Sequence, residues 1–134
     1  QPILGPDGFG NSKVFELAGT QNMNDVYYTS HFAVESEDED IQEFVTNYEK
    51  VTGNKPDMFT GLAYDAVNIV KEAIEKAGVR DTVAINEAIA STKDFKGVTG
   101  TFSFDEKHDP VKTVSIIEVQ DDTPTAIHEV DPTK

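Results

Sequence analysis

Residues 3–13 read Ile3-Leu4-Gly5-Pro6-Asp7-Gly8-Phe9-Gly10-Asn11-Ser12-Lys13 (ILGPDGFGNSK), a short apolar run that leads into closely spaced glycines. The apolar run predicts a strand over residues 1–6. Asn11 or Ser12 can cap a helix that reaches Ala18 and ends at Gly19. A strand followed directly by a helix is the repeating unit of α/β folds. The stretch therefore predicts an α/β protein with a glycine-rich loop at the carboxyl end of its first strand.

The glycine-rich loop admits three interpretations. In a phosphate loop a lysine would stand where Asn11 is, and the dinucleotide pattern GxGxxG differs from the GxxGxG found here. A small phosphate- or nucleotide-binding α/β enzyme domain using Gly5 to Gly10 is kept as the alternative, although Asp7 raises the cost of bringing in a phosphate. In the second interpretation the glycines only make a tight turn. In the third, Asp7 is exposed at a strand end, where α/β sheets bind ligands, and meets an ammonium group.

The composition excludes several classes of protein. The chain of 134 residues suits one ordinary domain, and its net charge of −14 disfavours binding to nucleic acid or anionic membranes. It has no cysteine, which rules out disulfides and cysteine nucleophiles, and its 3 histidines lack zinc-binding spacing. We therefore expect no metal and no cofactor. No signal peptide is visible and the chain starts on an apolar run, so a truncated or processed chain is expected.

The next two elements follow from composition and periodicity. Residues 25–32 are rich in aromatic and β-branched side chains and predict a strand. Acids at residues 36–40 suit the first turn of a helix that ends before Gly53. Its apolar face is predicted to consist of Ile41, Phe44, Val45, Tyr48 and Val51.

The longest helix is predicted over residues 59–77 and ends at Gly78. Its apolar stripe is wide enough for burial on more than one side. A further helix begins at Asp81 or Thr82. Alternating and β-branched patterns then predict strands over residues 97–104, 113–119 and 125–130, the last two as a hairpin.

Two acidic stretches invite a calcium interpretation. Residues 35–40 and 105–109 both lack the spacing of an EF-hand loop. We interpret the first as a solvated helix N-terminus and the second as a polar turn. Phe59, near the start of the long helix, belongs either to the core or to the apolar wall of a ligand cleft.

Several segments, taken in chain order, resemble a single family. They are ILGPDGFGN, DVYYTSHF, YEKVTGNKPD, MFTGLAYDAVNIVKEAIEKAG and FKGVTGTFSFDEKHDPVKTVSIIEV. This ordered set resembles the C-terminal portion of type I periplasmic solute-binding proteins of the branched-chain amino acid (leucine, isoleucine, valine) class. The resemblance covers essentially the whole chain. Its most characteristic parts are AYDAV on the long helix and G-x-x-G-x-x-x-FDEKHD before the last strands.

The resemblance implies a periplasmic-binding-protein type I fold, in which two Rossmann- or flavodoxin-like α/β lobes are joined by three crossing strands. The ligand lies between the lobes and is trapped by hinge closure. Residues 1–30 would be part of the second lobe, residues 31–113 part of the helix-rich first lobe, and residues 114–134 strands that return to the second lobe. The chain would thus be a fragment with elements of both lobes.

The resemblance also implies a ligand site. The family's acidic residue just after the Gly-Pro of the loop binds the ammonium group of the ligand, and this position is Asp7 here, where the family often has glutamate. The apolar contact at the start of the long helix falls on Phe59. Asp7, its neighbour Gly8 and Phe59 are therefore the expected ligand-binding residues. The family's serine and threonine groups for the ligand carboxylate lie in a first half that this sequence does not include.

The function implied is that of a substrate-binding component of an ABC transporter, not of an enzyme. Its partners would be leucine, isoleucine or valine and a membrane ABC permease, and its location extracytoplasmic, in the periplasm or as a cell-surface lipoprotein. We expect the fragment to bind ligand weakly or not at all. Strands without their lobe partners leave open edges, which predicts either an accompanying N-terminal half or self-association by exchange of elements.

Overall fold

The computed structural model describes residues 1–121 and 123–134, with Thr20 described in its backbone alone. Short 3-10 turns cover Asp7–Gly10 and Thr20–Asn22. The combination of helices and strands confirms the predicted α/β class. In chain order the elements are β1 (Ile3–Gly5), α1 (Ser12–Ala18), β2 (Val26–Ser30), α2 (Glu39–Thr52), α3 (Met58–Ala77), α4 (Thr82–Ala90), β3 (Phe95–Gly97), β4 (Gly100–Phe104), β5 (Pro110–Val111), β6 (Val114–Gln120) and β7 (Thr123–Val130).

The two ends of the chain build one sheet. Its strand order is β1-β2-β6-β7, with β1 parallel to β2 and the other neighbours antiparallel. Helix α1 covers one face, where Val14 and Phe15 pack against a buried cluster. The members of that cluster are Met23, Val26, Tyr28, Ile117 and Val119. We call residues 1–30 and 114–134 the sheet body.

Residues 31–113 lie between two strands that are hydrogen-bonded neighbours, because Ser30 of β2 pairs with Ser115 of β6. We call this segment the helical body. It contains α2, α3, α4 and a small sheet of order β3-β4-β5. One buried cluster consists of Phe32, Phe44, Val45, Met58 and Val98, and a second of Ile69, Phe95 and Phe102. These bodies coincide with the segments that the resemblance assigns to the two lobes, and the assignment to lobes stays a prediction.

Aspartates and glycines fix the helix ends. The Asp38, Asp57 and Asp81 side chains cap α2, α3 and α4 by accepting hydrogen bonds from backbone amides of the first turn. Gly53 and Gly78 end α2 and α3 in the left-handed conformation that glycine adopts without strain. The predicted helix limits are therefore confirmed to within a few residues.

The single strand predicted over residues 97–104 is wrong. The structure has a hairpin instead, with β3 and β4 antiparallel and a turn at Val98 and Thr99. The turn forms because the Asp65 carboxylate accepts hydrogen bonds from both of these backbone amides, each at 2.9 Å. In a continuous strand these two amides would donate to a neighbouring strand. Here they donate to Asp65 of α3 instead.

Two predictions about helix faces are also wrong. Val51 is 85% exposed, because the last turn of α2 opens into a groove between α2 and α3. Helix α3 is buried along one face only, and Val67 on another side is 69% exposed. No element of the described residues covers that side of α3. Among these residues, no helix is long and apolar enough to cross a membrane.

Candidate functional site

Asp7 lies where the sequence places it, at the carboxyl end of β1. It opens the short 3-10 turn, and its side chain is exposed. The carboxylate Oδ1 accepts a hydrogen bond from its neighbour's amide, Gly8 N, at 2.9 Å. Burial lowers the pKa of His31 and the Asp7 charge opposes this shift, so the carboxylate lies near the point where the chain leaves β2. Asp7 is therefore an exposed anionic group close to the junction of the two bodies.

The loop glycines have different local roles. A Cβ at Gly5 would fall on the Phe9 ring, and one at Gly10 would come 3.1 Å from the Tyr28 ring. A Cβ at Gly8 would meet nothing within 4 Å. Gly8 therefore borders open space, and neither packing nor a positive φ angle requires a glycine there.

The loop is poorly arranged to bind a phosphate. Such a site needs free backbone amides that point at the anion. Here Gly8 N donates to Asp7, and Phe9 N donates to the Pro6 carbonyl at 3.0 Å. At the start of α1, Lys13 N donates to the Asn11 side chain at 2.8 Å. These amides are engaged, and the nearest side-chain charge is negative.

Phe59 is the second residue of α3 and is 46% exposed. Among the described residues, no hydrogen bond joins Phe59 to Asp7 or Gly8. A groove of about 720 Å³ lies between the two bodies, and none of these three residues lines it. Asp7 and Gly8 thus lie in one loop of the sheet body, and Phe59 lies on α3 of the helical body.

A buried polar group that the sequence reasoning missed lies beside the junction. Asp65 of α3 is only 3% exposed and accepts hydrogen bonds from Thr99 Oγ1 at 2.6 Å as well as from the two turn amides. Thr99 Oγ1 in turn accepts from Lys112 Nζ at 2.6 Å. Lys112 Nζ lies 4.9 Å from the centroid of the Phe102 ring. Asp65 and Thr99 are buried and Lys112 is half-buried, and we call these three residues the buried clamp.

The charges of the buried clamp reach His31, the first residue after β2. Burial lowers the pKa of Lys112 to about 8, and the Asp65 carboxylate opposes this shift. Burial also lowers the pKa of His31, and the charge of Lys112 lowers it further. Asp7 and the backbone of Thr113 act in the opposite sense. Among the described residues, no hydrogen-bond partner reaches the buried His31 Nδ1 atom.

One signal in the sequence could have revealed Asp65. On α3 the buried positions include Gly61, Ile69 and Ala73, at helical spacing, and Asp65 falls in the same row. A carboxylate on an apolar face requires hydrogen-bond donors, because a buried unpaired charge is very costly. The identity of those donors, more than 30 residues further on, could not be read from local sequence.

Comparisons with known proteins agree with this architecture. A family described as periplasmic binding protein matches residues 1–124. The leucine-, isoleucine-, valine-, threonine- and alanine-binding protein of Pseudomonas aeruginosa is 31% identical over 107 residues, which cover 80% of this chain and 28% of that protein.

Solved structures are similar over nearly the whole chain. A leucine-binding protein from Thermotoga maritima shares 28% identity at a TM-score of 0.87, covering 98% of this chain and 37% of its own. A branched-chain amino acid transporter substrate-binding protein from Streptococcus pneumoniae, solved with isoleucine, shares 32% identity at a TM-score of 0.89, covering 98% of this chain and 38% of its own. The chain thus spans little more than a third of the length of these relatives.

Proposed function

The chain belongs to the periplasmic binding protein family, of the type I branched-chain amino acid class, and on this premise we propose that it forms the C-terminal part of an extracytoplasmic substrate-binding protein. In this proposal the complete protein supplies an ABC permease with leucine, isoleucine, valine or a similar aliphatic amino acid. The relatives are solute-binding proteins, not enzymes. The same family membership supports the proposed location in the periplasm or at the cell surface.

The observation that supports this function best is the exposed Asp7 carboxylate at the end of β1. Its only hydrogen bond among the described residues is to the adjacent Gly8 amide, so a charge-assisted hydrogen bond to an ammonium group remains open to it. The open space at Gly8 leaves room for a ligand to approach the backbone. We propose Asp7 as the ammonium-binding group, Gly8 as the residue that gives access, and Phe59 as an apolar contact from the helical body.

The remaining partners of the ligand would come from elsewhere in the complete protein. We propose that the sheet body is part of one lobe and the helical body part of the other. Groups for the ligand carboxylate would then lie on the rest of the complete protein. The exposed face of α3 and the free edges of β1 and β7 are compatible with cover by that remainder, or by a second copy that exchanges elements.

A chimera tests this function. Residues 1–134 replace the matching C-terminal segment of the Streptococcus pneumoniae protein, and isothermal titration follows leucine, isoleucine and valine, with inorganic phosphate as a counter-ligand. We expect at least one amino acid to bind and phosphate not to bind. A folded chimera that gives no heat with any of the amino acids would contradict the proposal. The 134-residue chain alone should bind weakly or not at all, and micromolar affinity would contradict that expectation.

The role of Asp7 is tested in the same chimera by Asp7→Asn. The substitution keeps the shape of the side chain and removes its charge, and it should weaken amino-acid binding by about 10- to 100-fold, since hydrogen bonds to charged groups contribute roughly 1.5–3 kcal/mol. Asp40→Asn, which removes an exposed carboxylate from α2, is the matched control and should leave affinity unchanged. Equal affinity of the Asp7→Asn and unmodified chimeras would remove Asp7 from the site.

A further inference from the structure

The chain passes between the two bodies at two adjacent points. It leaves β2 through His31 and enters β6 through Lys112 and Thr113, and the strands they adjoin are paired at Ser30 and Ser115. Any rotation of one body against the other must bend the backbone at these two crossings. Hinge residues of this kind are typically a few positions at the ends of elements.

Both crossings are held firmly on either side. In the first, Ser30 belongs to β2 and Phe32 is buried in the core of the helical body. The Ser30 hydroxyl also donates to the Phe32 carbonyl at 2.8 Å, which braces the turn around His31. In the second, Val114 of β6 pairs with Val130 of β7, so Thr113 lies between β6 and Lys112.

We propose that Lys112 is a positioning residue whose hydrogen bond to Thr99, which is itself bound to Asp65, fixes the second crossing to the helical body and confines rotation between the bodies to His31 and Thr113. Lys112 reaches back to the β3–β4 turn, which Asp65 of α3 holds through two backbone amides. The crossing is thereby tied to an element that is itself buried. The contact is built from charged and hydroxyl groups in a largely buried place, where such hydrogen bonds are strong.

Burial lowers the pKa of His31 at the first crossing, and the Lys112 charge of the clamp lowers it further. The charged groups that affect the His31 imidazole are Lys112 from the second crossing and Asp7 from the β1 loop, with the Thr113 backbone beside it. When Lys112 is protonated, it disfavours a second positive charge on His31. The protonation of His31 therefore depends on whether Lys112 keeps its charge and its place in the clamp, and this dependence can be measured.

The experiment follows the histidine ring signals of the 134-residue chain by NMR as pH is changed. His108 and His128 are exposed and serve as internal controls. In the unmodified protein the His31 signal should titrate with a pKa below its ordinary value of 6.5 and should show a second inflection near pH 8, as Lys112 loses its proton. Absence of both features would overturn the proposal without the need for any variant.

Two variants complete the test. Lys112→Met should raise the midpoint of His31, speed amide exchange at Val98 and Thr99 by about tenfold, and change the orientation of the bodies in residual dipolar couplings. Lys112→Arg, which keeps the charge, should restore all three properties, and Lys107→Met in the exposed turn should change none. An unaltered His31 midpoint and orientation in Lys112→Met would contradict the clamp.

The inference deepens the proposed function, because closure of the lobes around a ligand would use these crossings. None of the measurements involves a ligand. Loss of amino-acid binding in the chimera and failure of the clamp are therefore separate outcomes.

Discussion

At the scale of single residues, the glycines of the loop after β1 differ in whether the fold requires them. Gly5 and Gly10 lie against aromatic rings, whereas Gly8 faces open space with an ordinary backbone conformation. Neither packing nor the φ angle requires a glycine at position 8. Such a glycine is a candidate for close approach of a ligand to the backbone.

Gly8→Ala should therefore affect binding and spare stability. We expect the free energy of unfolding to stay within about 0.5 kcal/mol or to rise slightly, since alanine restricts the unfolded chain. In the chimera, amino-acid affinity should fall. Gly61→Ala is the matched control: its Cβ would come 3.1 Å from both Phe32 and Thr99, so it should lower stability by about 1–3 kcal/mol. Urea unfolding and isothermal titration measure the two effects, and unchanged affinity in Gly8→Ala would contradict the assigned role.

At the scale of elements, α3 has two apolar faces and only one of them is covered. Its buried row includes Met58, Ile69 and Ala73, while Val67, Val70 and Ile74 are exposed. The sequence does carry a wide apolar stripe on α3, but the prediction that the helix is buried on more than one side is wrong for this chain. The second face gains nothing from the fold as it stands, because apolar surface stabilises only when it is removed from water.

The uncovered face predicts concentration-dependent association of the isolated chain. Val67→Gln combined with Val70→Gln should shift the mass in light scattering towards that of a monomer and change the free energy of unfolding by no more than about 0.5 kcal/mol, as for other exposed positions. Leu17→Gln on α1, also highly exposed, is the control for a general loss of surface hydrophobicity. A compact monomer for the unmodified chain at every concentration would argue against association through α3.

Comparison of elements also shows what local sequence can predict. Helix limits followed from capping aspartates and terminal glycines, which act on their own neighbours. Asp7 could be placed because the loop directly follows its strand. The β3–β4 turn and the buried clamp could not be predicted, because Asp65, Thr99 and Lys112 meet only after α3, α4 and the hairpin have packed. Local rules fail where a side chain from a distant element supplies the deciding hydrogen bond.

At the scale of the whole molecule, groups near the junction give stability a defined pH dependence. The pKa of Lys112 is about 8 in the folded protein and 10.5 as its ordinary value. Between these values the unfolded chain holds more protons, so the free energy of unfolding rises with pH. The lowered pKa of His31 acts in the same sense below its ordinary value of 6.5, so acidification through that range lowers stability. Tyr28, with a pKa raised to about 12 from 10.0, acts in the opposite direction at higher pH.

Urea unfolding between about pH 8 and 10 isolates the contribution of Lys112. We expect stability to increase with pH over this window in the unmodified chain and in Lys107→Met, and the increase to be smaller in Lys112→Met. Because each variant removes one lysine charge, and of the two only Lys112 is held in a half-buried place, the difference between the variants reports on Lys112 directly. A profile with the same slope in all three proteins would contradict the assigned burial of the ammonium group.

The pairing of β2 with β6 has a consequence for how the chain folds. Tyr27 and Glu118, which contact each other across these strands, are 91 residues apart in the chain. Closing so long a loop costs conformational entropy, and contacts between distant residues slow folding. In the helical body the main contacts join elements that are adjacent in the chain, such as α3 and α4, so this body can form first and bring residues 30 and 115 side by side. Folding of the helical body should then precede closure of the sheet and accelerate it.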